Sequence, residues 1–97
     1  MNTTVLCRTP TPGKASRRID RRKFEQIRRA ILACLPRSTP GVEFAKLPGL
    51  VRRKLSPGER KTLGSVRWYV TTVKLELEVR GEIRRVASSG PQRLVRG

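Results

Sequence analysis

The feature that most constrains this 97-residue sequence is a long helical repeat in its C-terminal half. Apolar residues recur there with the i, i+3, i+4, i+7, i+11 spacing of one helix face. They are Val66, Tyr69, Val70, Val73 and Leu77. Ser65 precedes the repeat as a good N-cap residue, and Gly81 follows it as a left-handed C-cap residue. The sequence therefore predicts a helix over 65–80, the third in the chain.

Two further helices and a hairpin are predicted around this helix. The first runs over about 20–35, where Asp20 is a good N-cap and a proline follows. The second is weaker and covers about 45–55, before a Ser-Pro-Gly break. Two short strands at 83–86 and 93–96 have the separation of a β-hairpin. Residues 42–44 alternate in polarity and suit a very short strand.

The N-terminal 18 residues predict a disordered basic arm. The tract Thr9-Pro10-Thr11-Pro12-Gly13 continues neither a helix nor a central strand, and little apolar surface is available for burial. From Arg8 to Lys23 the chain carries seven basic residues and one acid. Since a chain of this length supports a single domain, we expect an arm at 1–18 and one folded domain at 19–97.

The charge of the chain indicates a polyanionic partner. Lys and Arg total 23 against 7 acids, which leaves a net charge of +16. Such an excess destabilises a compact monomer, and a nucleic acid, an anionic membrane or an acidic protein would supply the counter-charge. No segment reaches the roughly 18 apolar residues of a membrane span, and no signal-peptide core is present. We therefore expect a cytoplasmic protein that binds nucleic acid and not a membrane.

The residues that usually carry catalysis are scarce. The chain has no histidine and one aspartate, and it lacks both a nucleophile-elbow and a phosphate-loop motif. Cys7 and Cys34 lie far apart, form no CxxC pair and have no histidine to help them bind a metal. We expect free thiols, although a bridge through Cys7 stays open, and no enzyme activity, metal, cofactor or small-molecule substrate.

The predicted element order of helix, short strand, helix, helix and hairpin is that of a winged helix-turn-helix domain. Residues 77–86, LEVRGEIRRV, resemble the junction of recognition helix and wing in that superfamily. A leucine near the helix end, a capping glycine and an apolar first wing strand recur there. Residues 64–75, GSVRWYVTTVKL, also resemble a group of small bacterial proteins of unestablished function. The resemblance covers roughly 20–96 and implies an α+β fold with three helices and a C-terminal β-hairpin wing.

The resemblance further implies that the N-terminal part of the third helix lies in the major groove of DNA. At about 100° per residue, Arg67, Thr71 and Lys74 form one stripe, and no acid occurs from Ser65 to Leu75. On this interpretation Arg67 reads guanine edges, Thr71 contacts a base edge or a phosphate, and Lys74 contacts a phosphate. The alternative is an ordinary solvated stripe.

Further arginines are candidates for contacts with the nucleic-acid backbone. Those on the wing, around the Ser-Ser-Gly turn at 88–90, are Arg84, Arg85, Arg93 and Arg96. Those in the arm and at the start of the first helix are Arg17, Arg18, Arg21 and Arg22. Arginines on a glycine-bearing hairpin suit phosphate or narrow minor-groove contacts. The alternative for the wing is an edge hairpin that its charge keeps soluble.

Trp68, Leu75 and Val79 form a second apolar stripe, nearly opposite the first. A helix that is apolar on two sides is either central in its domain or covered by a partner. The arm, the wing or the first helix would cover the stripe, or a second copy would do so in a homodimer. Stacking of Trp68 on nucleic-acid bases is a further alternative, which suits a duplex binder least.

Together these features predict a small basic duplex-DNA-binding protein with a role in transcriptional regulation. Two alternatives remain open. One is a structural or ribosome-associated RNA-binding protein, and the other is a winged-helix adaptor that binds protein through the Trp68 stripe. The third helix and the wing favour DNA, whereas the arm suits either nucleic acid.

Overall fold

Four α-helices and two small antiparallel sheets form the described part of the chain, residues 3–87 and 90–97 of a computed structural model. In chain order the elements are β1 (Thr4–Cys7), β2 (Arg17–Asp20), α1 (Arg21–Cys34), β3 (Val42–Glu43), α2 (Leu47–Lys54), α3 (Pro57–Leu63), α4 (Val66–Arg80), β4 (Ile83–Arg85) and β5 (Arg93–Arg96). A turn of 3-10 helix, Phe44–Lys46, leads into α2. The expected α+β class is confirmed.

The two long helices, α1 and α4, begin after the predicted N-cap residues, and α4 ends at the predicted C-cap residue. The Asp20 carboxylate accepts a hydrogen bond from the backbone N–H of Lys23 at 3.1 Å. The Ser65 hydroxyl likewise accepts from the backbone N–H of Trp68 at 3.2 Å. Gly81 ends α4 at a φ of 78°, in the left-handed region that glycine adopts without strain. Local signals therefore determine both helices.

The helix α3 starts at the Ser-Pro-Gly tract that predicts a break. The Ser56 hydroxyl accepts from the Glu59 N–H at 3.1 Å, and the Glu59 carboxylate accepts from the Ser56 N–H at 2.8 Å. This reciprocal pair is a capping box, and Pro57 occupies the first helical position, where its missing N–H has little cost. The prediction of three helices is therefore wrong by one short helix, because proline starts a helix as readily as it ends one.

The N-terminal segment forms a β-hairpin and is not a disordered arm over its described length. β1 pairs antiparallel with β2, which places Val5 opposite Ile19. Val5, Cys7 and Ile19 all join the hydrophobic core. The predicted boundary at residue 19 is also wrong, because it divides β2. Two inward side chains in a four-residue strand are too few to give a recognisable pattern in the sequence. Met1 and Asn2, which also belong to the predicted arm, lie outside the described residues.

The C-terminal hairpin joins the short strand β3 in a three-stranded sheet of order β3-β5-β4. Val42 lies opposite Leu94, and Ile83 lies opposite Arg96. Most of the hairpin connection is described, but Ser88 and Ser89 of the predicted wing turn are not. The helix α4 packs against α1, α2 and β4, and its apolar stripe is fully buried at Val70, Val73 and Leu77. It therefore lies at the centre of the core.

Candidate nucleic-acid interface

Within the described residues, six of the seven acids hold a defined subset of the cations in ion pairs. These join Glu76 to Arg8 and Arg80, Glu78 to Lys74 and Arg85, Glu82 to Arg28 and Arg80, Glu43 to Lys46 and Arg93, Glu25 to Arg28, and Glu59 to Arg29. The remaining positive charge lies on cations outside these pairs. Fewer cations are therefore available to bind a polyanion than the 23 in the sequence suggest.

Lys74 is buried and does not belong to that surface. Its side chain is about as buried as any in the core, with Nζ 2.9 Å from Glu78 Oε2 and 4.7 Å from the centre of the Phe44 ring. Burial lowers the pKa of the Lys74 ammonium, and the neighbouring Glu78 opposes that shift. The prediction that Lys74 contacts a phosphate is wrong, because the turn after β3 covers this side of α4.

Two of the four arginines of the predicted wing have structural roles. Arg93 Nη2 lies 3.0 Å from Glu43 Oε1, across the β3–β5 pair. Arg96 Nε donates to the Leu32 and Leu35 carbonyls at 2.8 and 3.0 Å, and so satisfies acceptors at the end of α1. Arg93 and Arg96 therefore have partners within the fold, and their contact with nucleic acid stays a prediction. Their side chains turn back to the first helix and to β3, which only the tertiary fold brings near.

The other two arginines of the predicted wing point away from the core. Arg85 is half exposed, with Nε 2.6 Å from Glu78 Oε1. Arg84 is exposed, and no acid pairs with it in the described ranges. Of these four arginines, Arg84 is thus the one whose guanidinium is unpaired within the described residues and able to bind an anion.

Arg67 and Thr71 both lie on the exposed side of α4, as predicted. Arg67 forms no ion pair with the acids that the structure describes. The Thr71 hydroxyl donates to the Arg67 carbonyl oxygen at 3.0 Å, so its hydrogen is already used. Because Lys74 is buried, the predicted three-residue stripe ends at Thr71.

Arg67 lies between two adjoining clefts at the start of α4. One cleft, of about 490 Å³, is lined by Lys46 and Arg53, and the other, of about 300 Å³, is lined by Arg52. Both include Arg67 and the residues Pro48 and Gly49 at the start of α2, and no acid lines either cleft within the described chain. We call this surface the basic groove and define it by Lys46, Arg52, Arg53 and Arg67. Lys46 also pairs with Glu43 at 3.9 Å, outside the lining of the cleft, so among the described residues the unpaired charge of the groove lies on the three arginines.

Sequence reasoning missed Arg52 and Arg53, although a signal was present. They belong to a run of three basic residues, 52–54, at the end of α2. Basic residues at the end of a helix usually stabilise it through a favourable interaction with the helix dipole, and this role alone would explain the run. Only the packing of α2 against α4 shows that two of these side chains line a cleft shared with Arg67.

The arginines of the N-terminal segment that are predicted to contact nucleic acid belong to a second surface, which carries both positive and negative charges. Arg17, Arg18 and Arg22 are exposed, and Arg21 donates to the Thr4 carbonyl at 3.4 Å. An open cleft of about 1070 Å³ between the starts of α1 and α3 is lined by Arg21, Arg22 and Lys23. The carboxylates of Asp20 and Glu59 line it as well. This surface therefore attracts anions less strongly than the basic groove.

The second apolar stripe of α4 is largely exposed. Trp68 is 41 % exposed and Val79 36 %, while Leu75 is half-buried. The Trp68 ring contacts Tyr69 edge-to-face, with 4.9 Å between the ring centres. We call these three residues, Trp68, Leu75 and Val79, the apolar strip. They lie on the same face of the central helix and face outward.

The described residues offer no evident metal centre or reactive thiol. No group of three or more His, Cys, Asp or Glu side chains clusters among them. Cys7 and Cys34 are free. Burial raises the pKa of Cys7 to about 11, with a further contribution from Glu76, so this thiol stays protonated near neutral pH. Cys7 is a core residue, not a residue of a flexible arm.

Within residues 3–87 and 90–97, none of the helices is both long and apolar enough to cross a lipid bilayer. The longest, α4, has 15 residues and carries charged side chains.

In a comparison with known protein families, residues 4–94 match DUF6958, a family of unknown function. No curated protein and no solved structure matches the chain. The match begins at the first residue of β1 and ends within β5, so it includes the N-terminal hairpin as well as the C-terminal sheet. Because it spans nearly all the elements described above, this chain belongs to the DUF6958 family.

Proposed function

We propose that this protein binds duplex DNA as a small winged helix-turn-helix domain and acts in transcriptional regulation. The observation that supports this most strongly is the basic groove at the start of α4, which no described acid lines. Lys and Arg side chains that neutralise phosphates displace condensed counterions, and this release provides the main driving force for binding to duplex DNA.

The arrangement of the elements also supports the proposal. The helix α4 ends at Gly81 and continues directly into the β4–β5 hairpin, while β3 joins that hairpin at its other side. This order supports the helix-to-wing connection that the sequence resembles, and on this proposal α3 and the β1–β2 hairpin are additions to it. In this arrangement α4 is the helix that enters the major groove.

Cations that pair with none of the described acids lie at both ends of α4. Arg67 is on its first turn, whereas Arg84 follows its C-terminal end in β4. A helix of 15 residues is about 22 Å long, which is enough to reach phosphates on both sides of a major groove about 12 Å wide. We therefore assign phosphate contacts to the basic groove at one end and to Arg84 at the other.

A titration of mixed-sequence 20-base-pair duplex DNA at several salt concentrations tests this proposal. Neutralising about five phosphates gives a slope of about −4.5 in log affinity against log salt. Arg53→Gln and Arg67→Gln are each expected to weaken binding to all sequences and to lower the slope by about one. Arg29→Gln is the matched control, because its side chain is 76 % exposed and lies on α1.

Three results would overturn the proposal. A slope near zero would remove nucleic acid as the partner. Equal binding by Arg53→Gln, Arg67→Gln and Arg29→Gln would show that the basic groove is not the binding surface. Tighter binding to duplex RNA than to duplex DNA at the same salt would replace the DNA assignment with an RNA one.

A further inference from the structure

The face of α4 that points to solvent carries no charge. Its members fall within about 100° of arc around the helix axis and are exposed or half-buried. They are Trp68, Thr71, Thr72, Leu75 and Val79. In a chain with a net charge of +16, an uncharged surface along the central helix requires an explanation.

The acids of α4 do not reach this face. Glu76 is buried against Arg8 and Arg80, and the side chain of Glu78 is 8 % exposed beside Arg85. The helix therefore presents no exposed carboxylate that would repel DNA. The uncharged face also presents no amide and no guanidinium, the groups that form bidentate hydrogen bonds to adenine or guanine. Arg67 lies at its edge, and the other guanidinium of the helix, that of Arg80, pairs with Glu76 and Glu82.

Thymine carries an apolar group that an uncharged, largely apolar helix face is able to bind. The C5-methyl of thymine is the apolar group that a base pair exposes in the major groove, and apolar side chains contact it. Trp68 and Leu75 lie on successive turns of the same face and supply ring and methyl carbons for such contacts. With its hydroxyl hydrogen donated to the Arg67 carbonyl, Thr71 also presents its methyl group.

We propose that α4 selects duplex DNA by packing its apolar strip against thymine methyl groups, so that the preferred ligand is an A·T-rich duplex. This inference rests on the proposed duplex-DNA binding. The charges that flank the strip favour DNA as its occupant, since the basic groove lies at one end and Arg84 at the other. A second copy of the chain would instead bring a charge of +16 against +16.

The test replaces thymine by uracil in a fluorescently labelled A·T-rich 20-base-pair duplex, with the full chain at fixed salt. The substitution removes only the methyl groups and leaves the hydrogen-bonding edges unchanged. Loss of one buried methyl group weakens binding about fourfold, so two contacted thymines give a loss of at least about tenfold. In a C·G-rich duplex, 5-methylcytosine is expected to increase affinity, because it restores a methyl group at the same position.

Protein variants show which side chains read the methyl groups. Trp68→Ala and Leu75→Ala are expected to bring the ratio of thymine-duplex to uracil-duplex affinity close to one. Arg53→Gln, as control, lowers both affinities and keeps their ratio. Trp68 is the sole tryptophan of the chain, so its emission is expected to shift more with the thymine duplex than with the uracil duplex.

The outcomes separate this inference from the proposal on which it rests. Equal affinity for thymine and uracil duplexes, with salt-dependent binding retained, overturns the thymine assignment and leaves DNA binding intact. No binding to any duplex overturns both. If Trp68→Ala leaves every duplex affinity unchanged but abolishes self-association in sedimentation, the strip is a protein interface and the thymine assignment is wrong.

Discussion

Replacing Glu76 with glutamine is expected to destabilise the fold at neutral pH and to remove most of its sensitivity to acid. The Glu76 carboxylate is 1 % exposed and accepts four hydrogen bonds. Three come from the backbone N–H and the guanidinium of Arg8, and one comes from Arg80 Nε, all at 2.8–3.0 Å. This carboxylate therefore joins the end of β1 to the middle of α4.

The size of the effect follows from the shift in pKa. Burial alone would raise the pKa of Glu76, but the hydrogen bonds from Arg8 and Arg80 outweigh it and lower the pKa from 4.5 to about 2. Each pKa unit corresponds to about 1.4 kcal/mol, so the ionised carboxylate stabilises the fold by about 3 kcal/mol. Since the folded-state pKa is the lower one, this stability is complete above pH 4.5 and is lost as the pH falls toward 2.

Urea unfolding followed by tryptophan fluorescence, between pH 7 and pH 2, measures this contribution. At pH 7 we expect Glu76→Gln to lower the free energy of unfolding by about 3 kcal/mol, because it breaks a buried ion pair. Near pH 2 the variant and the parent are expected to converge. Glu25→Gln is the control, because its carboxylate is 49 % exposed and 3.7 Å from Arg28, a pair worth less than about 1 kcal/mol.

A parallel loss of stability in the parent and in Glu76→Gln between pH 5 and pH 2 would refute this reasoning. The acid-sensitive group would then lie elsewhere, and the contact between Arg8 and Glu76 would contribute little to the docking of the hairpin.

Three further variants test the remaining structural conclusions. Deleting residues 1–16 removes β1 with its buried side chains, and we expect the midpoint of thermal unfolding to fall by more than about 10 °C; an unchanged midpoint would mean that the hairpin is not part of the fold. Lys74→Met is expected to leave the salt slope of DNA binding unchanged, since Lys74 is buried, and a slope lower by one would contradict that burial. Gly81→Ala is expected to lower the free energy of unfolding by about 1–2 kcal/mol in urea titrations, because alanine is strained at this left-handed position; no loss would place the end of α4 elsewhere.

The sequence by itself determined the elements whose signals are local. The helix α4 could be predicted because its repeat, its N-cap and its C-cap Gly81 lie within 17 consecutive residues, 65–81. The same holds for α1 after Asp20 and for the two strands of the C-terminal hairpin. Hydrogen bonds within a helix or a short hairpin join residues that are close in the chain, so the sequence pattern alone shows them.

Only the tertiary structure decided which side chains remain available for binding. Arg67 and Lys74 occupy the same stripe of α4, yet Arg67 is exposed and Lys74 is buried beside Phe44 and Glu78. Lys74 is buried because the turn after β3, some 30 residues earlier in the chain, packs over it. The helical repeat of α4 contains no information about that contact. Likewise, β1 is a strand because Val5 pairs with Ile19, and its tie to α4 is a contact between Arg8 and Glu76, 68 residues apart. Burial and ion pairing depend on which distant segments meet, and packing of the whole chain settles that.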